Sequence, residues 1–202
     1  MALYITGDAE ADKLLEENPL ALLTAMLLDQ QVPMEWAFSA PYQLKQRLGR
    51  GLDCAEIAAM DEDEFKGYFL EKPALHRYPA AMAERTHALC RDLVEQYDGK
   101  AENLWNGATT GAELFARLRA LPGFGEQKAR IFLALLAKRL GVKPPGWEEF
   151  AGDYGAPGYY SVADIDGPGA LEKVREYKQA KKAAAKQAAA KKVGAKKAKA
   201  AP

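Results

Sequence analysis

Nine consecutive residues, Leu121-Pro122-Gly123-Phe124-Gly125-Glu126-Gln127-Lys128-Ala129, combine the types that let a backbone hold an anion. A proline followed by two separated glycines makes a very short turn. Either glycine can adopt positive φ, and neither has a Cβ to keep a neighbour away. The N–H groups of Phe124 to Gln127 are expected to point outward from the start of a helix. There the first amides lack intrahelical acceptors and the dipole favours negative charge. The chemistry on offer is the gripping of a phosphate. An ordinary connection between two helices uses the same residues, so these nine alone leave both readings open.

The stretch Leu-Pro-Gly-Phe-Gly-x-x-x-Ala resembles the helix-hairpin-helix of the base-excision DNA glycosylases, the superfamily of endonuclease III, the adenine glycosylase and the alkylpurine glycosylases. Two further stretches fall in the family's order. Leu22-Leu23-Thr24-Ala25-Met26-Leu27-Leu28-Asp29-Gln30-Gln31 is similar to the helix that ends in a DNA-facing loop with a glutamine. Pro79 to Gly99, with Cys90-Arg91-Asp92-Leu93-Val94-Glu95-Gln96-Tyr97-Asp98-Gly99, is like the helix before the hairpin. The likeness covers roughly residues 20 to 141 and is nearest to the small forms without an iron–sulfur cluster.

The resemblance implies an all-α fold of two helical lobes around a cleft. A glycosylase-like domain would occupy residues 1–176. Residues 20–141 would form a six-helix lobe with the hairpin at 111–140, and 1–19 with 142–176 the second lobe. It implies a partner, double-stranded DNA with a damaged or mismatched base, bound by a monomer in the cytoplasm at the nucleoid. No organic cofactor or protein-bound metal is implied, beyond a monovalent cation bridging the hairpin and a phosphate. DNA contacts would come from Gln30 and Gln31, from Leu121, Gly123, Phe124, Gly125 and Gln127, and from Lys128 and Arg130. Gln31 would fill the gap left by the everted nucleotide, its amide both donating and accepting toward the widowed base. His76, Arg77 and Tyr78 correspond to a region near the base pocket.

Cleaving a glycosidic bond calls for a negative charge beside the developing oxocarbenium sugar and for an oriented water, and one carboxylate can supply both. The family places an aspartate about twenty residues beyond the hairpin. Here that window reads Pro144-Pro145-Gly146-Trp147-Glu148-Glu149, without the familiar Val-Asp-Thr-His pattern. Asp153, in a glycine-flanked loop, is the first choice. Glu148 and Glu149 follow, and Asp29 is the fourth. Members that also cut the strand carry a lysine where this chain has Gln127, and an amide cannot form a Schiff base. Lys128 is turned by about 100° on a helix, so base excision without a lyase step is expected. The alternative is a helix-hairpin-helix protein that binds distorted DNA without chemistry.

The elements needed to carry these residues are legible in part. Residues 9–18 read as a helix and Asn18-Pro19 starts another, apolar almost all round through Leu28, the mark of a helix buried on every side. Residues 36–48 read as helix interrupted at Pro41, which leaves open one helix or two short ones. Short helices are expected at 54–60 and from Asp61. Pro79 to Tyr97 reads as a long helix with Met82, Leu89, Leu93 and Val94 inward and His87 packed in its middle. Leu114, Phe115 and Leu118 mark one hairpin helix; Ala129, Phe132, Leu133, Leu136 and Leu140 mark the other. Residues 100–111 read as loop, 144–155 as mostly non-helical, and 170–178 as a last helix.

Composition bounds the rest. No run of apolar residues is long enough to span a bilayer, and the amino terminus lacks the basic start of a signal peptide. Cys54 and Cys90 stand apart, which suits neither a disulfide framework nor a cysteine-ligated metal. The 28 basic and 28 acidic residues balance, yet eleven Lys/Arg and only two acids lie from Glu172 onward. A body at −9 therefore carries an end segment at +9. The Lys/Ala-rich 177–202 lacks an apolar face and is expected to be disordered when free, giving salt-sensitive, nonspecific attraction to DNA.

Overall fold

A computed structural model describes residues 3–199, and every regular element among them is a helix. Asp8 caps α1 (Ala9–Glu17), its carboxylate accepting from the Glu10 and Ala11 amides. Asn18 ends α1 and caps α2 (Pro19–Leu28) through the Ala21 amide at 2.9 Å, with Pro19 at the first helical position. Every residue of α2 from Leu20 to Leu28 is buried, so this helix is the axis of the core. α3 (Met34–Leu48) packs on both. It is one helix and not two: Pro41 is buried inside it, and apolar packing on either side outweighs the one backbone bond that proline removes.

α4 (Cys54–Ala59) and α5 (Glu62–Leu70) start on the aspartate caps Asp53 and Asp61 and lie against α6 (Pro79–Tyr97). Val94 faces out at 39% exposure, against the inward expectation, while Met82, Leu89 and Leu93 are buried. Cys54 and Cys90 meet inside as free thiols. The neighbouring thiol and burial together push Cys90 well above the usual range, which leaves it unreactive. His87 is buried with Nε2 3.1 Å from the Met60 carbonyl.

α7 (Asn103–Asn106) turns Leu104 and Trp105 inward within the segment expected to be loop. The hairpin pair is α8 (Gly111–Ala120) and α9 (Glu126–Arg139). Beyond it, α10 (Trp147–Ala151) and a 3-10 turn (Gly152–Gly155) replace an expected non-helical run. Gly111 fastens the two: its amide donates to the Pro145 carbonyl at 2.8 Å, and a Cβ there would lie 2.5 Å from the Trp147 backbone. A second 3-10 turn (Val162–Asp164) is held on α9 by the Lys138–Asp164 ion pair at 2.6 Å, whose carboxylate also accepts from the Tyr160 and Ser161 amides. α11 (Ala170–Lys199) continues as helix through the segment expected to be disordered, as its alanine and lysine content favours.

α1 packs on α2 and α3, while α10 packs on α8 and α9 and both 3-10 turns pack on α9. No helix among the described residues is long and apolar enough to cross a membrane.

Candidate functional site

The end of α2 and the start of α9 face each other across a cleft of about 480 Å³. Its wall includes Asp29, Gln30, Gln31, Gly125, Gln127 and Lys128, with Lys178 of α11 on the rim. Two stretches a hundred residues apart in the chain thus meet. A cavity of the same size between α1 and residues 167–172 contains one buried acid, Asp12, already spent on the Ile5 and Thr6 amides.

The hairpin turn is built from the inside. Leu121 and Phe124 are buried, Phe124 lying edge-on to Phe132 at 6.0 Å. Neither side chain is free to touch DNA, which corrects the expectation for both. Gly123 is exposed at φ +76° and presses on Leu27: a Cβ there would come within 2.5 Å of the Leu27 Cδ1. Gly125 is exposed, with open space where a Cβ would be. The Phe124 amide is used up within the turn on the Leu121 carbonyl. The donors left over are therefore the amides of Gly125, Glu126, Gln127 and Lys128, which meet no acceptor among the described residues. That set is one position later than expected.

The opposing loop is held in advance. The Gln30 amide group donates to the Leu27 carbonyl at 3.0 Å and to the Met82 sulfur, and its oxygen accepts from Arg85 at 3.1 Å. The Gln30 carbonyl lies 3.1 Å from His76 Nε2. Because the Tyr78 amide donates to His76 Nδ1 at 3.0 Å, the imidazole is the neutral Nε2–H tautomer and gives that proton to Gln30. Burial holds its pKa below the ordinary value. His76 thus braces a loop and has no nitrogen left for a base or a proton transfer. Arg77 and Tyr78 lie at the surface outside the cleft, the guanidinium 5.5 Å above the phenol ring. None of the three residues expected near a base pocket is in the wall of this cleft. What the bracing presents is Gln31, exposed and left-handed at φ +58°. For a residue with a Cβ that costs about 1–2 kcal/mol.

Of the four carboxylates, only Asp29 lines the cleft. It is half-buried, and its side chain accepts no hydrogen bond among the described residues. Glu148, Glu149 and Asp153 are exposed on α10 and the turn after it, outside the cleft wall. Distance from the hairpin suggested the two glutamates and a glycine-flanked loop the aspartate, but α10 carries that segment back along α8 and α9. Its contribution is Tyr154, whose hydroxyl accepts from the Gln127 side-chain Nε2 at 3.0 Å. Nothing in the sequence singled out Tyr154, Arg85 or Lys178.

The hairpin's own cations turn inward. Arg130 donates to Glu126 at 2.8 Å and to the Phe150 carbonyl at 3.1 Å, and this pairing holds the Glu126 carboxyl below its usual pKa. It is a brace between α9 and α10, not the free phosphate contact expected. Lys128 reaches the cleft after all, its amine 2.6 Å from the Leu27 carbonyl. Burial lowers its pKa to about 8; Asp29 pulls the other way and Arg85 adds to the fall.

An amine depressed in the folded state binds fewer protons than in the unfolded chain between about pH 8 and pH 10.5, so stability rises with pH across that window, and below it the cost is fully present. Between about pH 7 and pH 10 the wild type should gain on the order of 1–2 kcal/mol relative to Lys128→Met, allowing for partial solvent screening. Urea titrations of both proteins at the two pH values measure this. Parallel changes would mean an ordinary lysine.

Among the described residues no group of three or more His, Cys, Asp or Glu could hold a metal ion. No protein-family model, curated protein or solved structure matches the chain.

Proposed function

We propose that the protein is a DNA base-excision glycosylase of the helix-hairpin-helix kind, hydrolysing the N-glycosidic bond of an everted damaged or mismatched base. The observation that carries the reading is the cleft. It sets four unpartnered amides, a pre-strained glutamine and one uncommitted carboxylate around the same space. Each matches a separate physical demand of the reaction.

The amides at the start of α9 would hold a backbone phosphate, and the hairpin resemblance also allows a monovalent cation there. Eversion costs a few kcal/mol of stacking, and Gln31 would offset part of it by entering the vacated space. Its backbone is already held left-handed and its side chain is exposed, so that entry would need no further ordering of the loop. Asp29 would stabilise the oxocarbenium sugar and orient the attacking water. No lyase step is proposed. Gln127 has no amine, and that of Lys128 is engaged by the Leu27 carbonyl.

Duplex oligonucleotides with single uracil, hypoxanthine, alkylpurine, oxidised-guanine or mismatched sites test this. One of them should accumulate alkali-labile abasic sites, with no protein–DNA adduct trapped by borohydride. Tight binding of distorted duplexes without excision of any base would favour the second reading, a helix-hairpin-helix binding protein without chemistry. The position of Glu148, Glu149 and Asp153 outside the cleft is what favours that alternative.

A further inference from the structure

Arg130 is paired with Glu126 and the Lys128 amine is held at the Leu27 carbonyl, so the lysine that stands at the cleft rim is Lys178 of the last helix. α11 is fastened to the body along its first two turns. Ala170 and Val174 are buried, Arg175 pairs with Glu35 in the first turn of α3, and Tyr177 meets Tyr160 edge-on at 5.0 Å. Just past these anchors Lys178 lines the cleft, its amine 4.0 Å from the Met34 sulfur. One turn on, the Lys181 amine lies 5.8 Å above Tyr177 and 5.9 Å above Tyr154, the residue that holds Gln127. The helix is therefore registered against the hairpin where it leaves the body.

That registration fixes where the next lysines face. At about 100° per residue, Lys182 and Lys186 fall about 40° and 80° to one side of Lys178, and Lys181 about 60° to the other. Lys181, Lys182 and Lys186 are exposed. The four form one face that begins in the cleft wall, with successive rows about 6 Å apart along the axis. Duplex DNA carries a charge every 3.4 Å or so along each strand, so such a row can neutralise phosphates in sequence.

We propose that α11 is a phased arm, a helix whose lysine face extends the cleft and lies along the phosphates of duplex DNA on one side of it. It acts through its rotational setting and not merely through its number of charges. The duplex's position rests on the functional reading above, but binding of undamaged duplex does not require excision.

Two alanines inserted between Ala180 and Lys181 turn everything downstream by about 200° without changing charge, while seven turn it by about 700° and restore the face to within about 20°. A fluorescent undamaged duplex of thirty or so base pairs is titrated with the full-length wild type and both insertions over a salt series, with helicity checked by circular dichroism. The two-alanine protein should bind about tenfold more weakly, with a log–log salt slope shallower by roughly 2–3 as three lysine contacts are lost. The seven-alanine protein should recover most of both. Equal behaviour of the two insertions, whether both like wild type or both weak, overturns the proposal. So does an equal loss on single-stranded DNA, which lacks the fixed phosphate geometry. Phase dependence without excision of any base would defeat the glycosylase reading and leave the arm standing.

Discussion

Asp29→Asn should reduce base release by roughly two to three orders of magnitude while leaving duplex affinity within about threefold. The substitution keeps the shape of the side chain and removes only its charge. If Asp29 stabilises charge that develops in the transition state, the loss falls on the chemical step and not on binding, so kcat should drop with little change in KM. The fold should tolerate it, because the carboxylate makes no hydrogen bond among the described residues. Its neighbour will register the change. Asp29 opposes the fall in the Lys128 pKa, so in the variant that amine should lose its proton at lower pH still. Glu148→Gln, Glu149→Gln and Asp153→Asn should excise at close to the wild-type rate. A large loss in one of these three with Asp29→Asn active would move the chemistry out of the cleft. Single-turnover kinetics on the best substrate would decide it.

The second large effect separates the two glycines of the turn. Gly123→Ala should destabilise the protein by about 2–5 kcal/mol. A left-handed alanine costs about 1–2 kcal/mol, and forcing a methyl onto a packed side chain about 1–3 more. The new Cβ would lie 2.5 Å from Leu27 Cδ1, and Leu27 is fully buried, so it has no free space to retreat into. For a chain of this size that is a fall in Tm of roughly 5–15 °C. Gly125→Ala should leave Tm nearly unchanged, since φ is −89° and nothing lies within 4 Å of the added carbon. Its methyl would stand at the mouth of the unpartnered amides, where a phosphate has to approach. Duplex affinity should fall severalfold, read by calorimetry and titration in parallel. Unimpaired DNA binding by Gly125→Ala would mean the amides grip nothing.

Reading the sequence reached the elements whose signals are local. The uninterrupted apolar run of α2 marks it as the buried axis. The ends of α6 are marked by Pro79 at its start and Asp98-Gly99 beyond it, and the hairpin by its proline and glycines. It went astray where tertiary packing overrides a local signal. Pro41 stays helical because both its flanks are buried, and Trp147 anchors a one-turn helix in a proline- and glycine-rich run. Six of the site residues named from the sequence, Asp29, Gln30, Gln31, Gly125, Gln127 and Lys128, do line one space. What periodicity could not supply is which carboxylate joins them. A glycine-flanked loop pointed to Asp153 and spacing to Glu148 and Glu149, but proximity in the fold belongs to Asp29, far upstream of the hairpin. Nor could it show that His76 and Arg130 are spent as braces, because their partners Gln30 and Phe150 lie 46 and 20 residues away.

The contact between Lys128 and the Leu27 carbonyl spans 101 positions of the chain. During synthesis the first of these residues is made well before the second. A nascent chain that has not yet reached α9 has only the Gln30 amide group to offer this carbonyl and no wall opposite Asp29. The two walls of the cleft therefore come together only once α9 is made, and a half-made molecule has no cleft.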